Sequence, residues 1–498
     1  MNLSLVLLGV VVIASLAGCV ENNTPFASVL PTTKESLVIN LPDNETFTLT
    51  ASPVRWTLEG ISQNGYAYNE SIPGPFLKVK QGSHAKINFV NQLPEPTTVH
   101  WHGIRVANKD DGVPGSTQKE VASGKTYQYD LIFPDAGLYW YHPHVREDRQ
   151  QDLGMYGLIW VEPQNPLPVM KEFTWALDDI QLSKNKIQVS GDKTLFALMG
   201  RYGNQLLVNG QSDARVQTQT GEWVRFLLVN VSNARPMRFA IDEQTLYVRA
   251  MDGGFLPEPV ETDAVILAPS ERAIVEVQFS QPGVYEVLNQ TPIGKAVFGT
   301  IEVGSSSIAL SDIPEWVPDS ADLPPIEKLE MLKGIEPDWE YDIALDWPSM
   351  ESMMGGGHTM HGGTSSDGVE WEDSMFMMNA GTSSEDVTWI LRDPVTGNEN
   401  MDIMQTASMD SWKVIRLKNL KDSMHPMQHP IHLHGQRFVV LTIDGKPVEN
   451  ASWKDTVLIP SGSTIDIAVE FSNPGEWMLH CHTAEHLESG MMTNIHVE

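Results

Sequence analysis

The chain has 498 residues, with 64 acidic against 33 basic side chains and a formal net charge of −31 at neutral pH. That balance argues against a nucleic-acid partner, whose phosphates need basic patches. The length exceeds what one hydrophobic core supports, and 32 prolines and 38 glycines among short alternating runs indicate an all-β chain of sandwiches.

Leu3 to Leu16 is apolar, too short for a comfortable membrane span, and preceded by no Lys or Arg. It ends in Leu16-Ala17-Gly18-Cys19, which resembles a bacterial lipobox. Residues 1–18 therefore read as a lipoprotein-type signal peptide with Cys19 lipidated, an ordinary cleaved signal being the alternative. The polar stretch 19–34 reads as a tether. Together they predict an exported protein of the cell envelope, anchored to the membrane and facing the periplasm or exterior. The other of the two cysteines is Cys481. If one is lipidated and the other binds metal, no disulfide forms.

From 35 to 164 the pattern is strand-like. Ala85-Lys86-Ile87-Asn88-Phe89 and Tyr127-Gln128-Tyr129-Asp130-Leu131 alternate apolar and polar residues. This stretch also holds His100-Trp101-His102, the turn signal Asp110-Asp111-Gly112 and His142-Pro143-His144. In a strand, i and i+2 side chains share a face, so each His-x-His presents two imidazoles together. One such pair alone would read as solvated histidines.

An internal repeat sets the domain count. Leu131-Ile132-Phe133-Pro134-Asp135-Ala136-Gly137, Val277-Gln278-Phe279-Ser280-Gln281-Pro282-Gly283 and Val469-Glu470-Phe471-Ser472-Asn473-Pro474-Gly475 are each a strand, a turn and a glycine. Five residues past the glycine stand His142, Leu288 and His480. The second copy, 165–310, thus lacks ligands there, and its earlier strand near Met237-Arg238-Phe239-Ala240-Ile241 has no histidine; a spacing role is expected. Residues 311–335 read as a linker and 336–498 as the third domain.

The third domain opens with an insertion, 350–378, in which Met350, Met353, Met354, Met360, Met375, Met377 and Met378 flank a Gly/His run, with a strand expected at Phe376. It is either a flexible loop with incidental methionine or a source of thioethers, which select Cu(I). Then follow His429-Pro430-Ile431-His432-Leu433-His434, the alternating Ile465–Val469, and His480-Cys481-His482-Thr483-Ala484-Glu485-His486-Leu487-Glu488-Ser489-Gly490-Met491. A thiolate with two imidazoles and a weak, distant thioether makes a blue-copper site. On a strand Cys481 points away from His480 and His482. Ten of the fifteen histidines lie in these clusters, and neutral imidazole suits copper.

In this order the four motifs resemble those of the multicopper oxidases, which include laccases and cuprous oxidases; the likeness runs from about residue 60 to 498. It implies three consecutive cupredoxin-like Greek-key β-sandwich domains. It implies a type 1 copper on His429, Cys481 and His486 with Met491 axial, and a type 2 copper on His100 and His432. A type 3 pair would sit on His102, His142, His144, His434, His480 and His482, where the first and last domains meet. The implied reaction couples one-electron oxidation of a small reducing substrate to four-electron reduction of dioxygen to water, with Cys481 as electron exit. Asp111 matches an acidic position kept beside the three coppers for proton supply. Leu487 departs from the pattern, since many bacterial members place Glu there; Glu485 and Glu488 are the nearby substitutes. The methionines favour Cu(I) as donor, while laccase-like oxidation of phenols or aromatic amines would keep the same ligands. A copper nitrite reductase has no type 3 pair and an electron carrier needs only the type 1 ligands, so the surplus histidines argue against both.

The first test concerns the anchor. Mass spectrometry of the mature protein is expected to find Cys19 at its N-terminus carrying lipid, and Cys19→Ala to release the protein from the membrane fraction. A mature chain beginning elsewhere would exclude lipidation.

Overall fold

The computed structural model describes residues 30–348 and 367–498. The expected signal peptide, Cys19, most of the tether, and Met350, Met353, Met354 and Met360 lie outside the described residues. No helix among the described residues is long and apolar enough to cross a membrane.

The fold is three cupredoxin-type β-sandwiches in succession. In the first, the sheet of Ile61–Tyr68, Glu45–Leu58, His84–Asn91 and Thr126–Ile132 faces the sheet that runs from Val38–Asn40 to His100–His102. The alternation in His84–Asn91 does what it predicts: Ala85, Ile87 and Phe89 are buried and His84 and Lys86 are exposed. The strands expected around Tyr127–Leu131 and Ile465–Val469 are Thr126–Ile132 and Thr464–Phe471.

The internal repeat occupies one place in each sandwich. His100–His102 pairs with Gly137–His142, Met237–Ile241 with Gly283–Thr291, and His429–Leu433 with Gly475–Cys481, all antiparallel. The register matches too: His100 faces His142, Ala240 faces Leu288, and His432 faces His480. In the middle copy both positions carry buried apolar side chains, so that sandwich closes over its own core where the others open onto ligands.

The middle domain is more than a spacer. Its Ala176, Ile180, Leu227 and Phe255 share one apolar cluster with Val54, Trp56, Trp140 and Trp160 of the first domain. Its Ala197, Leu198 and Met199 enter the core of the third, which also contains Cys481 and Met491. The connecting stretch is packed as well: Trp316 stacks edge-on against Phe255 with ring centroids 4.8 Å apart, and the helix Ile326–Leu332 buries Leu329 and Leu332 against Val439 and Leu441.

At Phe376 the expectation of a strand fails. Phe376–Asn379 is a short helix, held by Asn379 Nδ2 donating to Gly200 O (2.8 Å) and Asp373 Oδ2 (2.9 Å). Unbranched methionines favour helix over strand, and among the described residues no strand pairs with this segment.

One glycine fixes the approach to the ligands. Gly435, directly after His434, has φ +59°, and a Cβ there would stand 2.1 Å from the Trp477 ring. Gly435→Ala is expected to destabilise the third domain by about 2–4 kcal/mol through strain and overpacking. Denaturant unfolding followed by tryptophan fluorescence measures this, and an unchanged midpoint would refute it.

Candidate metal centres

Among the described residues, two groups of ligating side chains form. The first joins His429, Cys481 and His486, whose ligand atoms lie within 4.8 Å of one another. Cys481 Sγ is 3.6 Å from His429 Nδ1 and 3.7 Å from His486 Nδ1. His429 comes from a strand, Cys481 from the end of the neighbouring strand, and His486 from the helix Ala484–Glu488 that follows it. Met491 is buried in the same core; its carbonyl accepts from Cys481 N–H and its N–H donates to His486 O, both at 3.1 Å. Burial pushes the Cys481 thiol up to about 12. A bound cation would displace that proton. Trp389, 1% exposed, covers the site, its ring centroid 4.3 Å from His486 and 4.7 Å from His429.

The second group gathers eight histidines from both ends of the chain: His100, His102 and His432; His102, His142 and His482; His144, His434 and His480. All are buried. His480 and His482 face this group while Cys481 faces the other, as strand alternation requires.

Hydrogen bonds decide which nitrogen each imidazole offers. His100 Nδ1 donates to Asp111 O (2.8 Å), His142 Nδ1 to Pro143 O (2.9 Å), His432 Nδ1 to Asp455 O (2.8 Å) and His480 Nδ1 to Cys481 O (2.9 Å). His434 Nδ1 donates to the Asp111 carboxylate (2.9 Å). His102 is turned round: its Nε2 donates to Asp455 Oδ1 (3.0 Å). What remains is His100 Nε2, His102 Nδ1, His142 Nε2, His144 Nε2, His432 Nε2 and both nitrogens of His482, buried without a hydrogen-bond partner. His434 Nε2 and His480 Nε2, each a lone pair by this count, stand 2.9 Å apart. Converging lone pairs with no donor are costly unless a cation satisfies them. The donor set therefore fits imidazole-loving metals such as copper.

Electrostatics agree. Burial, then mutual repulsion among the imidazoles, holds His102, His142, His144, His432 and His434 well below the ordinary value of 6.5. Burial alone is the leading cause for His480, at about 4, and for His429, at about 3. All are thus in the neutral, ligating form at neutral pH.

Asp111 is fully buried and touches two ligand residues. Two more carboxylates meet the group, neither of them Glu485 or Glu488: Asp455 at His102, and Glu147, whose Oε1 lies 3.3 Å from His144 Nε2. Burial, then the negative charges of Glu488 and Asp148, raises Glu147 well above the usual carboxylate range. Leu487 packs with Val113 and Met478. Glu147, Asp455 and Trp389 carry no sequence signal of their own; only the nearness of Glu147 to His144 could have pointed to it.

Multicopper oxidase family models match residues 50–166, 172–305 and 372–498. A multicopper oxidase of Staphylococcus aureus is 27% identical over 88% of this chain and 85% of its own length. One of Mycobacterium tuberculosis is 25% identical over 90% and 86%. Among solved structures, a laccase-like multicopper oxidase from Ochrobactrum superposes with TM-score 0.74 at 23% identity, covering 93% of this chain and all of that one. A metallo-oxidase from Campylobacter jejuni gives TM-score 0.70 at 21% identity, covering 95% and 98%. Fold and site together define a copper-dependent oxidoreductase with oxygen as acceptor. The chain belongs to the multicopper oxidase family.

The lowered histidines fix a pH dependence for the metal-free protein. Their folded pKa values lie below 6.5, so between 6.5 and about 4 these histidines bind more protons in the unfolded chain than in the folded one. Their contribution to stability is present above 6.5 and lost as pH drops towards 4, against buried carboxylates such as Asp152, Glu370, Glu485 and Glu488, whose raised values work in the opposite direction. The difference in thermal midpoint between metal-free wild type and His425→Leu isolates the histidine part. Wild type is expected to lose more stability than the variant on acidification across that window, and an equal loss would contradict it.

Proposed function

We propose that the chain couples one-electron oxidation of a donor at the Cys481 site to four-electron reduction of dioxygen to water at the eight-histidine group, and that the donor is Cu(I). One observation carries the coupling: Cys481 belongs to the first group, while its chain neighbours His480 and His482 belong to the second. His429, Cys481 and His486 would hold a type 1 copper with Met491 beside them. His100 and His432 would hold a type 2 copper, and His102, His142, His144, His434, His480 and His482 a type 3 pair. Copper bound there supplies the one-electron and oxygen chemistry.

The protein's own part is to keep the imidazoles neutral and dry and to bring protons. Asp111 against His434 and Glu147 against His144 are placed to do the latter. An envelope location, with an anchor at Cys19, belongs to the same reading and rests on the sequence.

Cu(I) as donor is supported by what lies beside His429. The end of the Met-rich insertion is tied to the preceding residue: Glu370 N–H donates to Gln428 Oε1 (2.8 Å), and Gln428 Nε2 donates to Tyr202 Oη (2.9 Å). His425 is buried with neither ring nitrogen paired, and burial lowers it to about 4. It is flanked in the chain by Met424 and Met427, whose thioethers are soft donors.

Oxygen uptake with Cu(I) and with a phenol tests both halves. Cys481→Ser is expected to lose the intense blue colour and all uptake. His425→Leu should raise KM for Cu(I) by about 10-fold while leaving phenol turnover intact. If His425→Leu leaves Cu(I) kinetics unchanged and wild type turns over the phenol faster than Cu(I), the laccase-like alternative replaces this reading.

A further inference from the structure

The middle domain holds no ligand, yet one of its side chains reaches the eight-histidine group. Arg272 opens the strand Arg272–Gln278 and is fully buried. Its Nη1 and Nη2 donate to Asp455 Oδ1 and Oδ2, both at 2.6 Å, in a two-pronged ion pair. Its Nε donates to Leu138 O of the first domain (3.0 Å) and its Nη1 also to Ser270 O (3.2 Å). One guanidinium thus fastens all three domains.

Asp455 uses what remains on the ligands. Its Oδ1 accepts from His102 Nε2 and its backbone carbonyl from His432 Nδ1. Those bonds leave His102 Nδ1 and His432 Nε2 as the free lone pairs. His102 and His432 stack with centroids 3.8 Å apart, so one residue orients a facing pair drawn from opposite ends of the chain. The surroundings are built for the ion pair. Gly103, next to His102, leaves room for it: a Cβ there would meet Asp455 Oδ2 at 2.5 Å and Arg272 Nη2 at 2.8 Å. Asp252 Oδ2 and Glu271 Oε1 of the middle domain grip Lys454 at 3.0 and 3.1 Å, and Ser270 Oγ meets Thr456 Oγ1 at 3.1 Å.

We infer that Arg272 is a positioning residue for the oxygen-reducing centre: by fixing the Asp455 carboxylate it sets which nitrogen His102 offers and aligns His102 with His432. The inference rests on the metal assignments proposed above. A planar fork held at both oxygens pins the carboxylate plane; a point charge does not. Partners of ligating histidines of this kind tune metal affinity and activity by about 10–100-fold when removed.

The test compares copper-loaded wild type, Arg272→Met and Arg272→Lys by copper content, electron paramagnetic resonance of the type 2 copper, blue absorbance, and kcat and KM for the donor. Arg272→Met is expected to keep its blue band and donor KM, since donor oxidation is remote from Asp455. It should lose copper from the eight-histidine group, type 3 through His102 and type 2 through His432, about 10-fold more readily on dialysis, with kcat falling in parallel. Arg272→Lys should regain copper content but show an altered type 2 signal, because the charge returns without the fork. An unchanged type 2 signal, copper content and kcat in Arg272→Met would overturn the inference. Should that variant not accumulate as folded protein, a wild-type type 2 signal in Arg272→Lys overturns it instead. Absence of any type 2 signal in wild type would instead remove the underlying metal assignment.

Discussion

A neutral imidazole has one lone pair, and where it points depends on what the other nitrogen donates to. That constraint governs this molecule. Backbone carbonyls at Asp111, Pro143, Asp455 and Cys481 take the Nδ1 protons of His100, His142, His432 and His480. Only the Asp455 carboxylate, taking the Nε2 proton, reverses His102. Because the acceptors are mostly main chain, ligand orientation is inherited from strand register rather than from side-chain rotamers. The matching registers of the first and third sandwiches are what make their imidazoles converge.

The middle sandwich shows the same scaffold used for another end. With Ala240 and Leu288 at the paired positions, it loses metal chemistry and gains a continuous core. Part of its buried charge pairs internally, Arg225 and Arg249 with Glu276, and part is spent on its neighbours: Arg272 on Asp455, Asp252 and Glu271 on Lys454, and Arg201 on Asp152 of the first domain. Buried charges of this sort cost desolvation and are tolerated when fully paired. Here pairing is complete only when all three domains are in place, so the ion pairs specify one arrangement of the three.

Much of this was legible in the sequence because strands have a period of two. The opposition of Cys481 to His480 and His482, the three copies around Gly137, Gly283 and Gly475, and the silence of the middle copy all follow from that period. What escaped depends on contacts the period does not encode. Asp455 meets His102 across 353 residues and Arg272 across 183; neither lies in a ligand motif. Glu147 displaces Glu485 and Glu488 at the cluster because the turn after His144 folds back onto it, whereas the helix Ala484–Glu488 spends His486 on the Cys481 side. At Phe376 a helix stands where a strand is expected, because a methionine run in an insertion carries no alternation.

Ligands for one centre come from residues 100–144 and 432–482. No partial chain can assemble it, so during synthesis a growing protein offers copper only isolated imidazole pairs. With the metal assignments proposed above, the complete ligand set exists only after the terminal sandwiches have docked. Metal bound there would add its binding free energy to docking. Copper supply would then double as a checkpoint on maturation: a loaded molecule would be one whose two ends have already met.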